Sequence, residues 1–210
     1  MHKADSTTTK LRVVFDGSAK TESGASLNDN LLVGPKIQDD LFNILNRFRF
    51  HRIALSADVA KMYRQVELDV PDRDYHRILW RNNNSEPLQH LRMTRVTYGI
   101  ASWAFHSVRT LHKIGDRESD VTTRQIIKRD FYVDDLISGA STIEEASLIQ
   151  DNLIDDLRKG GFELRKWSSN KIQLVQRLSP DLRETKEILK FDDDESSIKA
   201  LGIRWHPASE

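Results

Sequence analysis

Two adjacent aspartates in the segment Tyr132-Val133-Asp134-Asp135 have residue types and spacing that suit metal binding. Apolar residues precede and follow them, which predicts a tight turn between two strands. Neighbouring carboxylates at such a turn repel each other unless cations neutralise them. The alternative interpretation is that these aspartates, with Ser138 and Gly139, only form a hairpin, because Asp, Ser and Gly favour turns for backbone reasons.

A third aspartate, Asp58, favours the metal site. It lies near the end of the apolar run from Ala54 to Val59, which predicts a buried strand. An aspartate in that place is also typical of a cap for the following helix. Because Mg²⁺ prefers oxygen ligands such as carboxylates, we expect Asp58, Asp134 and Asp135 to be metal ligands. Asp58 and Asp134 are expected to be the principal two.

Such a site indicates phosphoryl-transfer chemistry. Two divalent cations about 3.5–4 Å apart can hold the attacking and leaving oxygens of an in-line displacement. We therefore expect two Mg²⁺ ions, with Mn²⁺ as a substitute. The implied reaction is nucleotidyl transfer, in which a primer 3′-hydroxyl attacks and pyrophosphate leaves.

The elements that must position these residues follow from periodicity and turn signals. Strands are predicted at Leu11 to Phe15 and at Ile53 to Asp58, and a hairpin is predicted from Tyr75 to Trp80 and Leu88 to Met93. Helices are predicted after Pro35, from Ile100 to Leu111, and after a capping box formed by Thr142 and Glu145, with Gly160-Gly161 at its end. A polar loop is expected from Gly115 to Arg124, and short strands with polar turns, including Asp192 to Asp194, are expected after Gly161. Hairpins among alternating strands and helices predict an α+β fold with a mostly antiparallel sheet.

Composition restricts the function classes. The chain has 210 residues, 38% of them hydrophobic, which suits one or two globular domains. It has no cysteine, so disulfides, thiolate zinc sites and cysteine nucleophiles are excluded. Lys plus Arg equals Asp plus Glu at 32 each, so net charge gives no nucleic-acid signal. Since no apolar run is long enough to span a bilayer and no secretory segment is recognisable at the start, we expect an intracellular protein.

Several segments, in their order along the chain, resemble the reverse transcriptase region of Bel/Pao long-terminal-repeat retrotransposons. The segments are Lys10 to Ser18, Ser26 to Asp29, Asp58 to Gln65, Thr97 to Gly99, Tyr132 to Asp135, and Leu164 to Trp167. The similarity extends from about Lys3 to Trp205. It implies an RNA-directed DNA polymerase that takes an RNA or DNA template, a primer and dNTPs, and that belongs to a larger retroelement polyprotein without membrane association.

The resemblance also implies roles for individual residues. Arg12, with Lys3 or Lys10, would hold the incoming triphosphate, although Arg12 by itself is typical of an exposed strand residue. Tyr63 would exclude a 2′-hydroxyl, unless it is only a core tyrosine. Lys166 is the candidate general acid for pyrophosphate, with Lys171 as the alternative. The remaining assignments are nucleotide contacts by Tyr98 and Gly99, and primer or template contacts by Tyr132, Val133, Gly202 and Trp205.

The same family implies a right-hand polymerase architecture of fingers and palm, in which the palm is a ferredoxin-like antiparallel sheet with helices on one face. Partial fingers are expected at 1–51, and a palm at 52–205 with an inserted fingers segment at about 70–96. A tail at 206–210 follows, and no thumb, RNase H or integrase region is expected.

Two alternatives stay open. One is a catalytically inactive retroelement remnant that binds nucleic acid or another partner; Trp103-Ala104 supports it, since relatives commonly have a small residue and proline there. The other is a viral RNA-dependent RNA polymerase, which Tyr132 and Tyr63 disfavour.

Overall fold

The computed structural model describes residues 13–184, together with the backbone of 198–200 and 203–205. The chain divides into two units. Unit 1 contains residues 1–36 and 63–107, and unit 2 contains residues 37–62 and 108–210. The predicted division into fingers and palm is a separate, functional assignment and stays a prediction.

The helices are α1 (Leu41–Arg49), α2 (Met62–Gln65), α3 (Trp103–Arg117), α4 (Val121–Arg129), α5 (Ile143–Lys159) and α6 (Ile172–Gln176). The strands are β1 (Ile53–Val59), β2 (Arg77–Trp80), β3 (Gln89–Arg92), β4 (Phe131–Tyr132), β5 (Asp135–Ala140), β6 (Leu164–Ser169), β7 (Ile198–Ala200) and β8 (Ile203–Trp205). Short 3₁₀ turns lie at Asn28–Asn30, Pro71–Tyr75 and Pro180–Leu182. No helix in the described ranges has the length and apolar character needed to cross a membrane.

Unit 2 is built on a four-stranded sheet in the order β4-β5-β1-β6, and every neighbouring pair is antiparallel. Along the chain its strands and main helices alternate as β-α-β-β-α-β, which is the ferredoxin-like connectivity. The prediction of an α+β fold with an antiparallel sheet is confirmed. Strand β1 lies at the centre, and Leu55 and Val59 are completely buried there.

The core of unit 2 comes from the sheet and the long helix α5. Leu153 and Leu157 of α5 are fully buried, as are Leu136 of β5 and Ile127 of α4. Helix α5 begins as predicted, because the Thr142 hydroxyl accepts from the Glu145 N–H at 3.2 Å, and the Glu145 carboxylate accepts from the Ser141 N–H at 2.9 Å. At its end Gly161 adopts a φ of +85°, a conformation that glycine permits.

Helix α1 is attached to the sheet through one arginine. Arg47 donates to Asp39 Oδ2 at 2.6 Å and to Asp130 Oδ1 at 3.2 Å, and it also donates to the backbone carbonyl of Arg129. Asp130 is buried and accepts a further bond from the Ser138 hydroxyl at 2.7 Å. Because Asp130 immediately precedes β4, this network holds the base of the β4-β5 hairpin.

Unit 1 contains the β2-β3 hairpin, which is antiparallel and pairs Arg77 with Arg92 at one end and Trp80 with Gln89 at the other. The predicted hairpin is therefore confirmed, with shorter strands, since Tyr75 belongs to a 3₁₀ turn.

Four predictions of secondary structure are wrong in part. No strand forms at Val13 to Phe15; the two residues before them lie outside the described ranges. Helix α1 begins at Leu41 rather than after Pro35. Asp40, the residue before the helix, has extended backbone, and its N–H donates to the Asp39 side chain, a local bond that competes with helix formation.

The other two errors are missed helices. The predicted loop from Gly115 to Arg124 instead contains the end of α3 and the start of α4, where the Asp120 side chain accepts from the Thr123 N–H at 2.7 Å. Helix α6 occupies a stretch predicted as strand and turn, since five residues of which three are apolar do not distinguish a helix from a strand. Asp192 to Asp194 lie outside the described residues.

Two buried serines of the sheet provide a matched pair for a stability measurement. Within the described part of the chain, Ser168 Oγ on β6 is buried and has no hydrogen-bond partner, whereas Ser138 Oγ on β5 donates to Asp130. We expect Ser138→Ala to lower the free energy of unfolding by about 1–3 kcal/mol, because it leaves a buried carboxylate oxygen without its donor. Ser168→Ala should leave it unchanged or raise it by up to about 1 kcal/mol. Urea unfolding measures both, and equal destabilisation by the two changes would contradict the assigned bonds.

The anchor at Asp39 predicts an acid-dependent loss of stability. Hydrogen bonds from Asn43 and Arg47 lower the pKa of Asp39 from 3.8 to about 2. A carboxyl whose pKa is lowered by folding contributes stability above its unfolded pKa, and this contribution is lost as the pH falls through the folded value. Unfolding measured between pH 4 and pH 2 should therefore show a shallower loss of stability for Asp39→Asn than for the wild type. Asp155→Asn, which removes an exposed carboxylate from α5, is the control and should keep the wild-type slope.

Candidate functional site

The three predicted aspartates meet at one end of the four-stranded sheet. Asp58, the penultimate residue of β1, lies directly opposite Asp135, the first residue of β5. Directly opposite residues of an antiparallel pair project from the same face, with Cβ atoms about 4.5–5.5 Å apart. Asp134 lies in the turn just before β5, and its carbonyl accepts from the Val59 N–H at 2.7 Å. Backbone pairing thus brings together three acids that are up to 77 positions apart in sequence, from 58 to 135.

The hairpin that carries Asp134 and Asp135 has a two-residue turn. Tyr132 of β4 pairs with Asp135 of β5, so Val133 and Asp134 form the connection. Val133 has a φ of +56°, which is unusual for a β-branched residue. Its N–H donates to the side-chain oxygen of Gln38 at 3.2 Å. Gln38 is not among the predicted site residues, because a hydrogen bond between positions 38 and 133 leaves no local pattern in the sequence.

Lys166 reaches the same site from β6. The pairing of β1 with β6 shifts register between Ser56 and Asp58, so β6 contains one extra residue there. Lys166 lies in this β-bulge with a φ of +54°, and bulges redirect side chains in this way. Its ammonium nitrogen is 3.2 Å from Asp58 Oδ2. The predicted general acid is therefore an ion-pair partner of a predicted metal ligand, with side chains that are 42% and 25% exposed.

Backbone strain is concentrated around this end of the sheet. Within the described residues the non-glycine positions with positive φ are Lys61, Val133 and Lys166. They lie three residues after Asp58, one before Asp134, and at the ion pair itself. Such conformations cost about 1–3 kcal/mol each and cluster at functional sites. The local geometry therefore marks the same place as the carboxylates.

The donor chemistry at this place suits a hard cation, because all three candidate ligands are carboxylates and Mg²⁺ prefers oxygen. As the side chains stand, no group of three His, Cys, Asp or Glu in the described part of the chain is arranged to hold a metal ion. One oxygen of Asp58 is engaged by Lys166.

In unit 1, Asn28 joins three segments that the sequence analysis singled out separately. Its amide nitrogen donates to Ser18 Oγ at 2.8 Å and to the carbonyl of Gly99 at 3.2 Å, and its amide oxygen accepts from the Ala101 N–H at 2.9 Å. Gly99 has a φ of +98°, and a Cβ there would lie 1.6 Å from the carbonyl oxygen of Phe15. Only glycine fits at position 99. The sequence alone does not predict this role, because the bonds to Gly99 and Ala101 span 71 and 73 positions.

Tyr63 belongs to an aromatic cluster within unit 1. Its ring packs edge-on against Tyr98, with centroids 5.2 Å apart, and against Trp103, with centroids 6.0 Å apart. Trp103 is buried and Tyr63 and Tyr98 are partly buried. The indole that departs from the family pattern thus packs in the interior beside the proposed sugar-selecting ring.

Several predicted site residues lie outside the described ranges. These are Lys3, Lys10, Arg12 and Gly202. Only the backbone of Trp205 is described, in β8, where it pairs with Ile198 of β7. Lys171 is the N-cap residue of α6.

Comparisons with known proteins give a structural neighbour. No family model matches this chain, and no curated protein matches it. Among solved structures, a foamy viral protease-reverse transcriptase in complex with double-stranded DNA superimposes with a TM-score of 0.54 at 15% sequence identity. The match covers 66% of this chain and 22% of the viral chain, so this chain spans about a fifth of that protein's length. This chain has a mixed α/β arrangement with an antiparallel sheet, and its fold is reverse-transcriptase-like.

Proposed function

We propose that this chain is the fingers and palm region of an RNA-directed DNA polymerase from a retroelement of the Bel/Pao type. The observation that carries the proposal is the register that sets Asp58 opposite Asp135, with Asp134 in the adjoining turn, at the end of a sheet in a reverse-transcriptase-like fold. The Bel/Pao assignment rests on the amino acids in the sequence segments and on the order of these segments along the chain.

In this proposal Asp58, Asp134 and Asp135 hold two Mg²⁺ or Mn²⁺ ions. When bound, the cations would activate the primer 3′-hydroxyl and neutralise charge on the leaving pyrophosphate. The protein supplies the three carboxylates at the end of the sheet, where the pairing of the strands restricts their positions. Lys166, already directed at the acids by its bulge, donates the proton to pyrophosphate.

The remaining roles concern nucleotide and template. Tyr63 excludes ribonucleotides through its ring, which Tyr98 and Trp103 support on two sides. Gly99 allows the backbone to approach a nucleotide closely. Arg12 and Lys3 hold the triphosphate, and Tyr132, Val133, Gly202 and Trp205 contact primer or template. The template is RNA or DNA, and the rest of the retroelement polyprotein is a further partner, in the cytoplasm.

A second candidate is an inactive remnant that binds nucleic acid or another partner without polymerisation. The ion pair between Lys166 and Asp58 favours it, because an internal ammonium already neutralises one of the acids. The two candidates differ in whether a divalent cation competes successfully with Lys166.

Metal titration tests this competition directly. We expect Asp58→Asn to weaken Mn²⁺ binding by about tenfold or more, since even outer residues of metal sites have effects of that size. Lys166→Met should strengthen it by about two- to fivefold, because an exposed ion pair contributes about 0.2–1 kcal/mol. Lys113→Met removes an exposed lysine charge from α3, also in unit 2, and is the control. Electron paramagnetic resonance of free Mn²⁺ measures the affinities, and equal binding by wild type and Asp58→Asn would contradict the metal site.

Primer extension tests the activity. On an RNA template with dNTPs and Mg²⁺, Asp134→Asn should slow extension by about 100-fold or more, the loss expected when one group that stabilises transition-state charge is removed. The assay needs low salt and excess primer-template, because affinity for nucleic acid comes from phosphate contacts spread over a long track. Asp155→Asn is the matched control and should extend at the wild-type rate. Extension by neither wild type nor control would favour the remnant instead.

A further inference from the structure

We infer that Gln38 is a positioning residue that holds the turn carrying Asp134 and Asp135. Its role in catalysis rests on the proposed function, whereas its role in the geometry of the turn does not. The inference starts from the bond that the Val133 N–H donates to Gln38 Oε1 at 3.2 Å.

The turn needs an external support because its backbone is strained. Val133 is β-branched and has a φ of +56°, a combination that costs energy unless the surroundings enforce it. The last residue pair of the β4-β5 ladder is Tyr132 with Asp135. The hydrogen bonds of this ladder therefore do not include the Val133 N–H. Gln38 supplies the acceptor for that group from a distant part of the chain.

Gln38 can act as a support because the residues that follow it are themselves fixed. Asp39 accepts from the Asn43 amide at 3.0 Å and from Arg47 at 2.6 Å. Arg47 also bonds Asp130, the residue that begins the hairpin. The segment from Gln38 to Arg47 therefore contacts the hairpin at two places, its base at Asp130 and its turn at Val133.

The residue type also fits the site. A glutamine amide oxygen accepts a hydrogen bond without carrying charge. A carboxylate at position 38 would accept equally well, but it would place a further negative charge next to Asp134 and Asp135. A neutral acceptor therefore supports the turn without adding to the repulsion between Asp134 and Asp135.

Three variants test the inference. Gln38→Met keeps the length of the side chain and removes the acceptor, Gln38→Glu restores an acceptor, and Gln173→Met makes the same chemical change on α6. We expect hydrogen exchange of the Val133 amide, followed by NMR, to be about three- to tenfold faster in Gln38→Met. It should keep the wild-type rate in Gln173→Met, and it should rise less in Gln38→Glu than in Gln38→Met, because the carboxylate restores the acceptor but adds charge next to Asp134 and Asp135. If Gln38→Met does not fold, Gln38→Asn, whose shorter side chain withdraws the acceptor, takes its place.

Primer extension separates a positioning role from a purely structural one. If Gln38 orients the aspartates, Gln38→Met lowers kcat by about tenfold or more with little change in KM for dNTP, because the loss lies in the transition state. Unchanged exchange at Val133 would overturn the inference and leave the proposed function standing. Faster exchange with wild-type kcat would show that Gln38 holds the turn but does not orient the aspartates for catalysis, and it would overturn the positioning role. If the wild type does not extend primers, the proposed function fails, and the exchange rates alone decide whether Gln38 holds the turn.

Discussion

The antiparallel register between β1 and β5 is the constraint on which the candidate site depends. Side chains alternate between the two faces of a strand, so a slip of one residue would move Asp58 to the face opposite Asp135. Buried pairs along the same ladder, such as Ala57 with Leu136, prevent that slip. Directly opposed like charges destabilise a sheet. The core packing of unit 2 therefore imposes a charge arrangement that the two aspartates by themselves would not adopt.

That unfavourable arrangement is accompanied by local backbone strain and by compensating contacts. Val133 and Lys166 both adopt positive φ values. Val133 follows Tyr132, which pairs with Asp135, and Lys166 follows Arg165, which pairs with Asp58. Each has a specific contact that offsets part of the cost. Val133 donates to Gln38, and Lys166 pairs with Asp58. Charge repulsion and backbone strain at this end of the sheet both reduce stability. Such a local loss of stability is typical of sites that have evolved for binding. A turn used only to reverse the chain would more simply contain glycine at position 133.

The sequence predicts the parts of this arrangement that are encoded locally. The capping box at Thr142, the central strand at Ile53 to Val59 and the turn at Asp134 each depend on neighbouring residues, and each is found where the pattern indicates. Helix α4 was missed because its cap at Asp120 lies in a polar stretch that is equally typical of a loop. The roles of Gln38 and Asn28 have no local signal, since Gln38 bonds Val133, 95 positions away, and Asn28 bonds Gly99, 71 positions away. The bulge at Lys166 depends on a register shift that only the paired strands define.

The fold supports the proposed function less than the candidate site residues do, because one fold is shared by proteins of many functions. The neighbour at 15% identity bears on the path of the chain, and the carboxylates bear on the reaction. Within this chain the two proposed tasks also divide between the units. The acids, Lys166 and Gln38 belong to unit 2, whereas the aromatic cluster of Tyr63 and the bonds of Asn28 belong to unit 1. The proposed cation binding and the proposed nucleotide selection would thus depend on separate sets of contacts. A retroelement remnant can lose one set and keep the other, so metal affinity and polymerase activity have to be measured separately.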